Sequence, residues 1–377
     1  MKRLAILGFG RIGLCIGRLL SSSDDYELWV VDQALSEVAK ACINRRQNMR
    51  FISGDASDIV FLSQLIKKNA VEGVISCLPF QFNTAIATLC REQNLHYFDL
   101  TEDVATQEAI EALSQGAKSA FVPQCGVAPG LIDIIAHHLV SSFDQVVDLR
   151  LRVGALPQSI DNPYMYARTW STEGLVNEYI KPCASLVQGQ VVERPGLSDL
   201  EPVVIGGVAY EAFNTSGGIG SLLSALSGRV ENMNYKTLRY PGHCETMRRL
   251  IDQPAFKNNP SQLVEHLNQV IPMIDNDVVV VFVTASGFRD GALIEEQFVR
   301  HYYPLHFAHM RFTAIQTVTA IGLVASVDLV REHPDRFQGY IGHECFSLPE
   351  ILNNRFGRIL DDAHNQHKSI SQYQGLD

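Results

Sequence analysis

The chain has no CxxC pair, no uninterrupted apolar run of membrane-spanning length and no excess of positive charge. Each absence removes a class of protein. The eight cysteines (Cys15, Cys42, Cys77, Cys90, Cys125, Cys183, Cys244, Cys345) are scattered, which suits reduced thiols and a cytoplasmic location better than a zinc site or a disulfide framework. With no stretch near the ~18 apolar residues that span a bilayer, and a first segment that runs directly into a strand pattern, neither a spanning helix nor a signal peptide is expected. Lys and Arg number 31 against 41 Asp and Glu, a net charge of −10, so nucleic acid and anionic membranes are poor partners. Repeats and low-complexity linkers are also lacking. What remains is an ordinary globular chain with 46% hydrophobic residues. At 377 residues it exceeds the ~250–300 at which a single core stops growing, which predicts two domains.

The richest local signal is at the start. A short apolar strand, residues 4–7, runs into Gly8-Phe9-Gly10-Arg11-Ile12-Gly13 and then into a helical pattern. In such a turn the first glycine permits the reversal, the second lets the backbone approach a pyrophosphate, and the third lets helix and strand pack closely. The helix start adds free N–H groups and the positive end of its dipole. A second strand ends in Asp32-Gln33, where a carboxylate would hold the ribose 2′-hydroxyl of NAD and repel the 2′-phosphate of NADP. NAD is therefore the expected cofactor, with NADP the alternative. Arg11 and Ile12 belong to the same phosphate turn.

Strands and helices then alternate. Strands are expected at 50–53, 71–76, 96–100 and 119–124, and helices at 59–68, 82–92, 104–114 and 131–140. This alternation predicts βαβ units and a Rossmann-type, doubly wound parallel sheet, whose ligands bind beyond the carboxyl ends of its strands. The residues at those ends are accordingly candidate cofactor contacts: Asp55 and Ala56, then Cys77-Leu78-Pro79, then Asp99-Leu100-Thr101. Asp55 is equally a turn or helix-capping residue. Cys125-Gly126 closes the sixth strand beside a helix start, a position that lowers a thiol pKa. With no base beside it in sequence, Cys125 reads as a pocket-wall residue.

Beyond residue 125 the pattern changes. A long strand at 145–155 and β-rich runs at 277–285 and 292–303, joined by a loop at 286–291, predict an α+β domain with a mixed or antiparallel sheet. The expected division is a nucleotide domain at 1–124, rejoined by 312–377, and a substrate-binding and dimerisation domain at 125–311. An open sheet of this size buries one face against another element or another subunit, so a homodimer is expected. An apolar helix is expected at 312–330, and the polar tail after Asp361 reads as frayed. His301, His306 and His309 have no carboxylate or cysteine to complete a set, and no metal is expected.

Several second-half stretches carry a family resemblance: Cys125-Gly126-Val127-Ala128-Pro129-Gly130, Val153-Gly154-Ala155-Leu156-Pro157, Trp170-Ser171-Thr172-Glu173-Gly174-Leu175, Glu211-Ala212-Phe213-Asn214-Thr215-Ser216, and Leu238-Arg239-Tyr240-Pro241-Gly242-His243. In this order, together with the nucleotide turn, the chain resembles the saccharopine dehydrogenase-like family, of the lysine ε-dehydrogenase and saccharopine reductase type. The resemblance implies NAD(P)-linked oxidation of a CH–NH group in a small lysine-related amino acid, giving an imine that water hydrolyses. Such chemistry needs an Arg fork for a carboxylate and a group that manages the amine proton. Arg239, paired with Tyr240, is the candidate carboxylate clamp, although a surface Arg fits the same pattern. His243 is the acid/base candidate, since an unperturbed imidazole titrates near ~6.5, with a satisfied loop histidine as the plain alternative. Glu211 and Thr215 would meet the amine or carboxylate, and Trp170 and Asn177 would wall the pocket. A nucleotide-binding regulatory protein of the same fold and an imine-reducing enzyme of polyamine synthesis remain alternatives.

Overall fold

The structure, a computed structural model, describes residues 1–307 and 310–363. His309 and the tail beyond residue 363 lie outside the described residues. The chain divides into two compact units. The first comprises Met1–Leu131, Leu305–Phe312 and the segment from Gln316 onward; the second comprises Ile132–Pro304 and Thr313–Ile315. Residues 125–131 thus belong with the first unit, because the Cys125 N–H is tied to the Asp99 carbonyl and the Leu131 N–H to that of Gly126.

In chain order the first unit begins β1 (Arg3–Leu7), α1 (Arg11–Leu20), β2 (Glu27–Asp32), α2 (Glu37–Asn44), β3 (Met49–Ser53), α3 (Ile59–Asn69), β4 (Gly73–Ser76), α4 (Asn83–Glu92), β5 (His96–Asp99), α5 (Val104–Ser114) and β6 (Ala120–Val122); α6 (Leu131–Val140) follows, its first residue in the first unit and the rest in the second. Helix α2, unanticipated from the sequence, starts where the Ser36 side chain accepts the Ala39 N–H, an ordinary N-cap. Side chains of Asp58 and Asp103 cap α3 and α5 in the same way.

The second unit contains β7 (Gln145–Pro157), α7 (Thr172–Ile180), β8 (Cys183–Val187), β9 (Gln190–Arg194), β10 (Glu201–Ile205), β11 (Val208–Asn214), α8 (Leu222–Ala225), β12 (Val230–Arg239), α9 (His243–Ile251), α10 (Pro260–Val270), β13 (Asp277–Arg289) and β14 (Ala292–Tyr302). After β15 (Leu305–Phe307) and β16 (Met310–Phe312), α11 (Ala314–Glu332) and β17 (Gly339–Tyr340) return to the first unit.

The first sheet is parallel throughout, ordered β17-β6-β5-β4-β1-β2-β3. The chain builds outward from β1 to β3, then restarts at β4 on the other side of β1. That reversal between β1 and β4 is the switch point at which doubly wound sheets hold their ligands. Helix α11 is long and apolar enough to cross a membrane, yet 89% of its apolar window is buried within the fold, as befits a core helix.

The second sheet runs β10-β11-β12-β7-β13-β14, with the β8–β9 hairpin attached to β12. It is mixed, because β12 and β7 pair in parallel while the other pairs are antiparallel. Strands β13 and β14 stay paired to Arg289↔Ala292, so the loop expected at 286–291 is a two-residue turn. Asp290 and Gly291 both have positive φ, 51° and 74°, as an Asp-Gly hairpin turn demands. Alternation along the strands splits the apolar residues between two faces. Leu156, Tyr210, Leu238 and Val280 form one cluster. Phe213 joins Tyr166, Tyr179, Met247 and Leu267 in the other, against α7, α9 and α10.

Candidate active-site elements

At the switch point the glycine turn has the geometry its spacing predicts. Gly8 sits at φ +84°, and a Cβ on Gly13 would lie 2.1 Å from the Gly8 carbonyl oxygen. A Cβ on Gly10 would meet nothing within 4 Å, which leaves open space beside the turn. Helix α1 has no side-chain cap and no acidic residue in its first turn, so no carboxylate competes with a phosphate there. Arg11 and Ile12, both half-buried, form its first two positions. Asp32, at the end of β2, accepts the Phe9 N–H at 2.6 Å and the Ala34 N–H at 3.3 Å. Its carboxylate is thereby fixed beside the turn while each oxygen keeps lone-pair capacity. Gln33 is exposed.

The remaining strand ends separate into different roles. The Asp55 carboxylate accepts the Ser57 N–H and hydroxyl at 2.8 and 2.6 Å, and these bonds hold its pKa below the usual carboxylate range. It is a turn residue, and Ala56 beside it is core. Cys77 and Leu78 are half-buried and line the turn: Leu78 Cδ2 would lie 3.0 Å from a Gly8 Cβ and Cys77 Sγ 3.6 Å from a Gly13 Cβ. Burial, reinforced by Asp99, pushes the Cys77 thiol up to about 12. Pro79 is exposed, and Leu100 half-buried.

Asp99 is fully buried and faces inward, which corrects its reading as a cofactor contact. Its carboxylate accepts the Tyr97 hydroxyl at 2.7 Å and the Thr101 and Gln124 N–H groups at 2.9 Å each. Burial holds its pKa above the usual carboxylate range against those bonds. Thr101, 2% exposed, turns the chain after it. Cys125 is likewise buried and its Sγ is directed at the Val122 carbonyl, 3.1 Å away. Burial, with the Asp99 charge, raises its pKa well above normal, the opposite of the lowering expected from a helix start. Gly126 alone of that pair is partly accessible.

In the second unit, β11 and β12 bring Glu211 opposite Arg239. Arg239 is 3% exposed. Its guanidinium lies 4.8 Å from the Tyr166 ring centroid, and its Nε donates to the Tyr179 hydroxyl at 3.1 Å. Among the described residues it has no carboxylate within ion-pair distance, and only the Leu238 carbonyl as a further hydrogen-bond acceptor. The Tyr166 and Thr169 hydroxyls nearby in this cluster are buried without a partner among the described residues. Sequence reasoning missed both Tyr166 and Tyr179; their spacing on the apolar face of Arg239 carried no motif. Thr215 reaches the Thr237 hydroxyl at 3.0 Å. Trp170 packs beside the Tyr166–Tyr179 cluster, and Asn177 is half-buried on α7.

Three expectations in this unit are overturned. His243 is completely buried, with Nδ1 2.7 Å from the Tyr164 carbonyl and Nε2 2.9 Å from the Tyr179 hydroxyl. Burial, followed by the Arg239 charge, takes its pKa down to about 3, so it is a neutral structural imidazole at neutral pH. Glu211 accepts the Gly242 and Cys244 N–H groups at 2.9 and 2.6 Å, and so caps the start of α9. Tyr240, the first residue past β12, packs with the Leu156–Tyr210–Leu238 cluster, away from the tyrosines around Arg239. It stacks on Tyr210 at 5.7 Å and donates to the Pro157 carbonyl. Among the described residues, no group of three or more His, Cys, Asp and Glu could hold a metal.

A glycine turn with a carboxylate across from it, at the switch point of a parallel sheet, defines a nicotinamide-dinucleotide-binding domain of the dehydrogenase type. Residues 4–122 match the saccharopine dehydrogenase NADP binding domain and residues 126–324 the saccharopine dehydrogenase C-terminal domain. The chain belongs to the saccharopine dehydrogenase family. It is similar to the mitochondrial alpha-aminoadipic semialdehyde synthases of Mus musculus (22% identity over 205 residues) and Rattus norvegicus (21% over 207). These matches cover 52% of this chain and 21% of each relative, so the chain corresponds to a small part of those proteins. Among solved structures, the saccharopine dehydrogenase (L-Glu forming) of Saccharomyces cerevisiae shares the fold with a TM-score of 0.72 at 15% identity, covering 97% of this chain and 98% of that one.

Proposed function

We propose that the protein is an NAD-preferring oxidoreductase that takes hydride from the CH–NH group of a lysine-related amino acid, saccharopine or lysine, leaving an imine for hydrolysis. The observation that carries the substrate class is Arg239. A buried guanidinium with no carboxylate within ion-pair distance among the described residues, and only the more distant charge of Glu178 near it, is costly unless a closer anion completes it, and the carboxylate of an amino acid is such an anion. The unpartnered hydroxyls of Tyr166 and Thr169 add polar capacity in the same cluster. The cofactor, when bound, supplies the hydride acceptor. The α1 start would hold its pyrophosphate and Asp32 its adenosine ribose, which favours NAD although the family's domain is described by NADP.

The test is the appearance of reduced nicotinamide absorbance on mixing the purified chain with NAD or NADP and either lysine or saccharopine. Turnover with one of them supports the reading. Dinucleotide binding without turnover on either would move it toward a regulatory nucleotide-binding protein. We also infer a homodimer, supported by the long sheet-edge strand β14 and the exposed Leu293 and Val204 side chains, 69% and 70% accessible. Light scattering that finds only single chains at micromolar concentration would refute it.

A further inference from the structure

The loop that follows β6 holds a residue that no motif assigns. Gln124 adopts φ +65°, a left-handed conformation uncommon for a residue with a Cβ and costly unless its surroundings impose it. Two groups impose it. From β5, Asp99 accepts the Gln124 N–H at 2.9 Å and its own carbonyl accepts the Cys125 N–H at 2.8 Å. From the returning segment, β17 extends the sheet beside β6, and three residues later His343 sets Nε2 3.0 Å from the Pro123 carbonyl. His343 is 3% exposed. The backbone of Gln124 is thus gripped on both sides, while its carboxamide has no hydrogen-bond partner among the described residues although the residue is only 2% exposed.

The carboxamide is not sealed from solvent, so its hydrogen-bonding capacity is open to a ligand, and it stands at the carboxyl end of β6. In a sheet whose order reverses between β1 and β4, the β1–β3 side takes the adenosine half of a dinucleotide. The ends of β4 to β6 therefore fall to the nicotinamide half. We propose that the Gln124 carboxamide contacts the nicotinamide half of the bound dinucleotide, and that His343 is the positioning residue that holds Gln124 in place. This rests on the dinucleotide reading above.

The experiment compares binding of NADH (or NADPH, whichever the wild type holds more tightly) with binding of ADP-ribose, which lacks the nicotinamide ring. The full chain is used throughout. Gln124→Gly keeps the left-handed backbone available and removes the amide; Gln124→Asn also tolerates positive φ and retains a carboxamide. For Gln124→Gly the reduced dinucleotide weakens roughly three- to tenfold, the worth of one hydrogen bond, with ADP-ribose unchanged. His343→Phe weakens the reduced dinucleotide in the same selective way, and His343→Gln, which restores an N–H donor, recovers wild-type affinity to about twofold. Equal losses for both ligands, or no loss for the dinucleotide, would overturn the assignment. Wild-type chain that binds neither reduced dinucleotide would overturn the dinucleotide site itself, a separate result.

Discussion

Replacing Asp32 with Asn changes one charge and little else, and so isolates the choice of cofactor. The Phe9 N–H that donates to Asp32 at 2.6 Å finds a carbonyl oxygen in the amide, so the glycine turn should keep its shape. What disappears is a carboxylate that the turn holds in place and that cannot swing away from a 2′-phosphate. Unit charges about 5 Å apart in a medium of effective dielectric about 40 repel by roughly 1.7 kcal/mol, and a phosphate dianion meets more than that. The loss of a charged acceptor for the ribose 2′-hydroxyl costs NAD about 1 kcal/mol in the other direction. Together these shift the NADH-to-NADPH affinity ratio toward NADPH by roughly 30- to 200-fold. Fluorescence titration of wild type and Asp32→Asn with both reduced dinucleotides measures it. A ratio that moves less than about threefold would show that Asp32 does not face the 2′ position, and the NAD preference would fall with it.

Arg239→Met should lower kcat/KM for the amino acid by roughly 10- to 100-fold, the worth of one or two charge-assisted hydrogen bonds, with NADH affinity unchanged; equal loss in both would make Arg239 structural. Asp328 is fully buried and accepts from Tyr26 at 2.6 Å, Asn354 at 2.9 Å and Arg355 at 2.7 Å. Asp328→Ala should cost about 3–5 kcal/mol in urea unfolding, and a loss below about 1 kcal/mol would refute its central place. For His243, the folded pKa of about 3 lies below an unfolded value near 6.5, so on acidification the unfolded chain takes a proton that the folded chain refuses. Its contribution to stability is complete above about pH 6.5 and is lost as pH falls toward 3, at up to about 1.4 kcal/mol per unit. His243→Gln should flatten that slope between pH 6.5 and 4.5, and parallel slopes in the two proteins would contradict it.

The first unit was largely legible from residues because its signals are local. The glycine spacing, the carboxylate ending β2 and the apolar strands each act within a few residues, and helix α5 was expected at the bounds it adopts. Even there, what a strand-end side chain faces was not legible. Asp99 and Asp55 look alike in sequence, yet one is buried under three hydrogen bonds and the other closes an exposed turn. Helix α2 was overlooked because it is only eight residues long and depends on the Ser36 cap.

In the second unit the chemistry depends on pairing between distant strands, which leaves no local trace. Glu211 and Arg239 do lie opposite each other, but that position lets Glu211 reach the start of α9, where the unmet N–H groups of Gly242 and Cys244 take both its oxygens. His243 heads the same helix. The glycine before it, with φ +97°, turns the chain so that the imidazole enters the core between Tyr164 and Tyr179. The Tyr179 hydroxyl, so placed, also accepts from Arg239. The stretch from Arg239 to His243 therefore looks like a catalytic motif because it is a structural one: a cap and a neutral histidine fix the tyrosine that orients a buried cation. Of the three residues expected to react, only Arg239 keeps hydrogen-bonding capacity without a carboxylate partner among the described residues, and it is there that an anionic substrate would restore the balance that burial disturbs.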